Sequence, residues 1–145
     1  MSDKTIATNK KVFHDYQMIE DFEVGIKLTG PEVKSIKNND VSLKESFIHI
    51  ENGELYVKNM HVGAYKPARN ENYNPIHNRK LLANKKEIER LAIKSAQNGF
   101  SIIAKKIYLK NGFIKLEIAL AKGKKKWDKR EDLKKKDLDR EARRG

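Results

Sequence analysis

Two Asn-Gly dipeptides, Asn52-Gly53 and Asn111-Gly112, each lie between apolar runs and constrain this chain more than any other feature. A two-residue type I′ turn needs positive φ at both central positions, which Asn and Gly adopt at little cost. Each pair therefore predicts two antiparallel strands: Phe47–Ile50 with Leu55–Met60, and Phe100–Leu109 with Phe113–Ala121. On the last strand Ile114, Leu116, Ile118 and Leu120 recur at every second position and are expected to face inward. The stretch Tyr16 to Leu28 alternates in the same way. Tyr16, Met18, Glu20, Phe22, Val24, Ile26 and Leu28 stand against Gln17, Asp21, Glu23, Gly25 and Lys27, with Ile19 the exception. It reads as a long strand with one wet face.

Helical signals fall between these strands. Thr29-Gly30-Pro31-Glu32 has the form of a capping box with proline in the first turn, predicting a short helix from Pro31 to about Lys37 that buries Val33 and Ile36. Asn84 heads a second helix running to about Gln97, with Ile88, Leu91, Ala92 and Ser95 on one face and Asn98-Gly99 as its stop. Gly63 to Asn78, with Pro67 and Pro75 and four asparagines, is expected to be a long loop, a length usual in functional or disordered segments. The fold class expected is mainly β: an OB-like antiparallel β-barrel with two or three flanking helices and a disordered basic C-terminal tail. The domain division expected is 1–121 for the barrel and 122–145 for the tail.

Of the net charge of +12, half belongs to residues 122–145, where 12 Lys/Arg face 6 Asp/Glu and the only large apolar residues are Trp127, Leu133 and Leu138. So little apolar surface cannot offset the entropy of ordering, and the free tail is expected to be disordered. Its charges are nonetheless patterned. Glu131 and Lys135, Asp132 and Lys136, and Asp139 and Arg143 each place an acid four residues before a base, a bias towards helix of roughly 0.2–0.5 kcal/mol per pair. Such a tail suits folding on a polyanion. The global charge alone says less, because a Lys- and Asn-rich coding bias would also produce it.

Other classes are narrowed by what the chain lacks. Without cysteine there are no disulfides, thiolate chemistry or Cys-based zinc sites. No apolar run approaches the ~20 residues of a membrane span, and Met1–Asn9 does not read as a signal peptide; a soluble, cytoplasmic protein is expected. His14, His49, His61 and His77 have no metal-ligand spacing, and no phosphate-loop or nucleophile motif is present, so no enzyme, cofactor or metal is expected. His49, among Phe47, Ile48 and Ile50, reads as a packed strand residue.

Binding features remain. Lys10-Lys11 and Arg79-Lys80 are basic points, either ordinary surface charge or part of a groove, and His14, Tyr16, Tyr65 and Tyr73 are rings able to stack on bases. Trp127, in a tail with no core to join, suits a base or a partner surface. Glu23, on the wet face of its strand, is either a solvated charge or an acceptor for base amino and imino groups. Asn84 and Glu32 each have a sufficient structural reading as helix caps.

Five segments occur in order: A-T-N-K-K-V-F-H-D-Y (Ala7–Tyr16), F-E-V-G-I (Phe22–Ile26), T-G-P-E-V-K-S (Thr29–Ser35), R-K-L-L-A-N (Arg79–Asn84) and K-G-K-K-K-W-D-K-R (Lys122–Arg130). Together they closely resemble the SmpB family of bacterial tmRNA-binding proteins across nearly the whole chain. The resemblance implies an OB-like barrel that binds the tRNA-like domain of tmRNA and stands in for its missing anticodon arm. It implies delivery of alanyl-tmRNA, with elongation factor Tu and GTP, to ribosomes stalled without a stop codon, for rescue and peptide tagging. There the tail would fold as a helix in the empty mRNA channel beside the decoding centre of the small subunit. Carried over by motif, Asn9, Lys10, Glu23, Leu82 and Asn84 are the implied tmRNA contacts, with Arg79 and Lys80 of the same R-K-L-L-A-N segment counted among them. Gly123, Lys124, Lys125, Asp128, Lys129 and Arg130 are the implied ribosomal determinants, with Trp127 and His14 beside them. Trp127 departs from the usual His or Tyr but keeps an aromatic plane. Ala83 replaces the usual leucine, and the tail beyond Leu138 is short.

Overall fold

Alternating apolar residues on β-branched-rich segments give strands that bury one face, and here they assemble edge to edge into one antiparallel sheet. The computed structural model describes residues 4–68 and 72–124. In chain order the elements are β1 (Lys4–Thr8), α1 (Lys10–Asp15), β2 (Tyr16–Ile26), α2 (Gly30–Lys37), β3 (Val41–Ser42), β4 (Phe47–Glu51), β5 (Glu54–Lys58) and β6 (His61–Val62). A short 3₁₀ turn at Lys66–Ala68 follows, then β7 (Arg79–Leu82), α3 (Lys85–Ser95), β8 (Phe100–Lys110) and β9 (Phe113–Gly123). Seven strands form a sheet in the order β1-β8-β9-β2-β7-β5-β4, and β3 pairs with β6 beside it. The sheet curls until β4 lies against β8, but no hydrogen-bonded ladder joins them, so among the described residues this OB-like barrel is open.

Both Asn-Gly turns take the expected form: φ is 52° and 75° at Asn52 and Gly53, and 52° and 82° at Asn111 and Gly112. The long strand forms as β2, but a register shift between Met18 and Glu20 divides its expected face: Phe22, Val24 and Ile26 meet the main core, whereas Tyr16 and Met18 lie against the Val12 cluster on the other side. Ile114, Leu116, Ile118 and Leu120 all enter the core with Val24, Ile26, Ile36, Leu55, Val57, Leu81, Ile88 and Leu91. Helix α2 has the full capping box: Glu32 N–H donates to Thr29 Oγ1 at 3.3 Å and Thr29 N–H donates to Glu32 Oε1 at 3.1 Å. At its other end Asn39, at φ 64°, closes a Schellman motif in which the amides of Asn39 and Asp40 donate to the carbonyls of Ile36 and Ser35. Asn84 caps α3 by accepting from the Glu87 amide at 2.9 Å.

Several features differ from the sequence expectation. β1 and α1 precede the first expected strand, and Val12 of α1 covers Ile103, Ala119 and Ala121 on the opposite side of the sheet from the main core. The second hairpin runs on to Gly123: Lys122 pairs with both Gln17 and Phe100, and Gly123 pairs with Tyr16, so the division after residue 121 falls two residues inside the sheet. His49 is exposed, because the alternation that buries Ile48 turns its neighbour outward. The expectations for Lys125 to Gly145 lie outside the described residues.

The long loop is held by one buried ion pair. Arg79 is 1% exposed and Glu32 2%. The guanidinium donates from Nε to Glu32 Oε2 (2.7 Å), from Nη1 to the carbonyls of Met60 (2.6 Å) and His77 (3.3 Å), and from Nη2 to the Tyr73 hydroxyl and the Pro75 carbonyl (both 2.9 Å). All five of its N–H groups thus have acceptors. Glu32 Oε2 also accepts from His77 Nε2 at 2.9 Å, and the single proton of the Tyr73 hydroxyl has Val62 O at 2.8 Å and Glu32 Oε2 at 3.1 Å within reach. Burial pushes the Glu32 carboxyl up. The Thr29 amide, the Arg79 guanidinium and His77 outweigh it and hold the pKa at about 2, down from 4.5.

Removing one partner leaves a buried charge unpaired, so Arg79→Ala is expected to cost about 3–5 kcal/mol in urea denaturation, whereas Arg79→Met with Glu32→Leu should cost less than either single change. Because Glu32 has a lower pKa folded than unfolded, its ionised form favours the folded state. That contribution, on the order of 3 kcal/mol, is complete above about pH 5 and is lost as pH falls towards 2. Stability measured between pH 6 and pH 2 should therefore fall less steeply in the doubly substituted protein.

Candidate nucleic-acid interface

Strand pairing brings together side chains that are far apart in sequence. On the face of the sheet away from the main core, one cross-strand row reads Thr8, Lys106, Glu117, Glu23 across β1, β8, β9 and β2. The next outward row reads Thr5, Tyr108, Lys115, Gly25, Leu82 and reaches β7. At roughly 4.8 Å per strand, three steps carry the first row about 14 Å, from the start of α1 to Glu23. Lys110 and Phe113 continue the face to the hairpin tip, where Phe113 is 69% exposed.

Glu23 is the electrostatic centre of this face. Its Oε2 accepts from the Tyr108 hydroxyl, and Lys110 Nζ is 3.3 Å from both carboxylate oxygens. The Tyr108 bond holds its pKa below the ordinary carboxylate value; partial desolvation opposes this, and Lys110 and Lys115 add to the lowering. Glu23 is therefore an anion at neutral pH, with one side fixed and the other open to solvent. Gly25 explains the glycine of F-E-V-G-I: a Cβ there would lie 3.3 Å from Leu82 Cβ. Its absence lets Leu82, 53% exposed, lie close across β2. Two residues on, Asn84 uses its side-chain oxygen as the α3 cap and keeps an exposed position, so the capping and contact readings of this residue are compatible.

The expected site residues separate into groups. Leu82 pairs with Gly25, two residues from Glu23 on β2 and two from Asn84 beyond β7, and Lys10 is exposed at the start of α1, at the far end of the Glu23 row. Lys80 is half-exposed and pairs with Glu54 at 3.3 Å. Two of the expected contacts lie inside the fold. Arg79 is an interior residue committed to Glu32, so the basic point in R-K is Lys80 alone. Asn9 is 3% exposed: its Nδ2 donates to Leu43 O (3.0 Å) and Ala104 O (3.3 Å), and its amide donates to Lys105 O (2.8 Å). Its side chain ties α1 to the sheet where β8 bulges. His14 is exposed on α1 and pairs with Asp15 at 3.0 Å. Gly123 ends β9, and the Lys124 amide donates to Asp15 O at 2.9 Å. Lys125, Trp127, Asp128, Lys129 and Arg130 lie outside the described residues. Of the stacking rings proposed, Tyr16 packs beneath α1 and Tyr73 is engaged with Arg79, while Tyr65 lies under Lys34 Nζ at 5.3 Å.

Sequence reasoning missed Lys106, Tyr108, Lys110 and Lys115. Lys115 was legible, since it alternates with Ile114 and Leu116. The β8 residues were not, because a register shift between Ala104 and Lys106 inverts the alternation along that strand. The bulged Lys105 turns to Asp21 and Glu117, both 2.9 Å away; burial pushes its pKa down, and these two acids outweigh that and raise it.

An exposed strand face bearing lysines, a fixed carboxylate and apolar side chains can meet phosphates and base edges together. The chain is 50% identical over 143 residues to an SsrA-binding protein of Bacillus anthracis, spanning 99% of this chain and 92% of that protein. It is also 50% identical over 141 residues to the SsrA-binding protein of Bacillus mycoides, at 97% and 91% coverage. A solved structure described as tmRNA-SmpB at the center of the bacterial ribosome contains a chain that matches with a TM-score of 0.68 and 39% identity, over 83% of this chain and 85% of that one. The SmpB protein family matches residues 6–145, and with the fold, the ordered motifs and these relatives in agreement, this chain belongs to the SmpB family.

Proposed function

We propose that this protein binds tmRNA through its tRNA-like domain and delivers it to stalled bacterial ribosomes for rescue and peptide tagging, with no chemistry of its own. The observation that carries this reading is the pairing of Gly25 with Leu82, which sets side by side the two family motifs that hold Glu23 on one hand and Leu82 and Asn84 on the other. Its support is the identity with proteins named for SsrA binding and the likeness to a chain in a tmRNA-SmpB structure of the ribosome. In this reading Glu23 accepts from base N–H groups, Leu82 packs against sugar or base, Asn84 adds a contact beside its cap, and Lys10 and Lys80 meet phosphates. Asn9 acts indirectly, by fixing the start of α1 and so the position of Lys10 and His14.

In this reading the basic segment from Lys124 onward meets the small subunit at its vacant mRNA channel. Gly123 and Lys124 set its departure point, beside Asp15 and Tyr16 on the α1 side, with His14 nearby for the decoding centre. Elongation factor Tu with GTP joins through the alanyl-tmRNA rather than through a dedicated surface of this chain. The cytoplasm is the compartment this activity requires.

Glu23→Ala should weaken binding of the transcribed tRNA-like domain by ~1–3 kcal/mol, the scale of one base-reading contact, in a filter-binding assay at fixed salt. Unchanged affinity would remove Glu23 from the interface. RNA recovered with the protein from its native cytosol and sequenced should be dominated by one transcript ending in a tRNA-like fold; a broad spectrum would identify a general RNA binder instead. Truncation after Lys124 should leave affinity for the isolated tRNA-like domain within about twofold, because the sheet ends at Gly123, and should abolish tagging on stalled ribosomes.

A further inference from the structure

On the proposed tmRNA-binding reading, we propose that Tyr108 is a positioning residue for Glu23: its hydroxyl fixes the carboxylate so that the remaining lone pairs meet an RNA base edge presenting N–H groups. Tyr108 is 5% exposed and cannot stack on a base itself. It sits on β8, an interior strand paired on both sides, opposite Thr5 of β1 and Lys115 of β9. Lys106 Nζ lies 5.4 Å from its ring centroid. A hydroxyl held that firmly is a fixed donor, and it reaches across β9 to Glu23 on β2.

The consequence is preorganisation. A glutamate on a solvent-facing strand samples several rotamers, and ordering it on binding costs affinity. The Tyr108 bond removes much of that cost beforehand. A carboxylate accepts up to about four hydrogen bonds. Tyr108 takes one on Oε2 and Lys110 leans on both oxygens, which leaves capacity on Oε1 at an exposed position. The complementary RNA group is a base edge with adjacent donors, as in the imino and amino groups of guanine; phosphates are repelled by Glu23 and directed to Lys106, Lys110 and Lys115. Tyr108 and Lys110 from β8, and Lys115 and Glu117 from β9, are the titratable groups facing Glu23, and β7 contributes Leu82.

The test compares the full-length protein with Tyr108→Phe, Glu23→Ala and the double variant for affinity to the transcribed tRNA-like domain. Tyr108→Phe should weaken binding about fivefold, the scale of the ordering cost that the hydroxyl otherwise removes, and should leave the salt dependence unchanged. In the Glu23→Ala background it should add nothing; a further loss there of the same size overturns the proposal. Carboxyl NMR of the free protein gives a readout that altered packing would not mimic. The Glu23 titration midpoint should move up in Tyr108→Phe, since the hydroxyl is the largest cause of its lowering, and an unmoved midpoint overturns the proposal. Should Tyr108→Phe fail to fold, Glu23→Asp keeps the charge but withdraws it from the hydroxyl. A loss matching Glu23→Ala supports the proposal, and wild-type affinity overturns it. If wild-type protein binds an unrelated RNA of equal length as tightly, the tmRNA reading and the base-reading half fall together, while the NMR titration still decides the Tyr108–Glu23 half.

Discussion

The buried pair of Glu32 and Arg79 is the constraint on which the rest of the structure depends. Taking two charges out of water costs several kcal/mol per ion, and mutual attraction compensates only when the remaining donors and acceptors are satisfied. Here they are: the guanidinium spends its five N–H groups on one carboxylate, one hydroxyl and three carbonyls. Those acceptors come from α2, from Met60 between β5 and β6, and from Tyr73, Pro75 and His77 of the long loop. One side chain therefore gathers a segment that has little regular structure of its own. It also fixes the strand that carries it, so β7 presents Leu82 to Gly25 and Asn84 to the start of α3. The surface proposed to read RNA is placed by a charge pair beneath it.

The bulge in β8 performs a second division. One extra residue at Lys105 sends that lysine between Asp21 and Glu117, while Lys106, Tyr108 and Lys110 all face outward. The same irregularity offers backbone carbonyls at Ala104 and Lys105 that Asn9 takes up, anchoring α1 over the second apolar cluster. Charged residues adjacent in sequence thus have opposite duties. Arg79 and Lys105 are structural cations paired inside, whereas Lys80 and Lys106 stand at the surface. Charge counting along the chain cannot separate them, because the distinction lies in burial: Lys105 and Lys106 both reach Glu117, yet Lys105 is buried and Lys106 half-exposed.

Much of this was legible beforehand. The Asn-Gly turns, the alternation of β9, the Thr29–Glu32 capping box and the Asn84 cap are local signals, so the sequence alone determined them; the face of Tyr16 and Met18 is not, because a register shift in β2 turns them away from Phe22, Val24 and Ile26. The family motifs likewise name Glu23, Leu82 and Asn84, the residues proposed to meet RNA. What the tertiary structure alone decided is non-local: that Arg79 turns inward to Glu32, forty-seven residues away; that Asn9 is consumed by carbonyls of β8 and of Leu43; and that His49 faces solvent. The face formed by Lys106, Tyr108, Lys110 and Lys115 belongs to the same class. It depends on register and on a bulge, and a one-residue slip exchanges the two faces of a strand, so its membership is fixed only when the strands have paired.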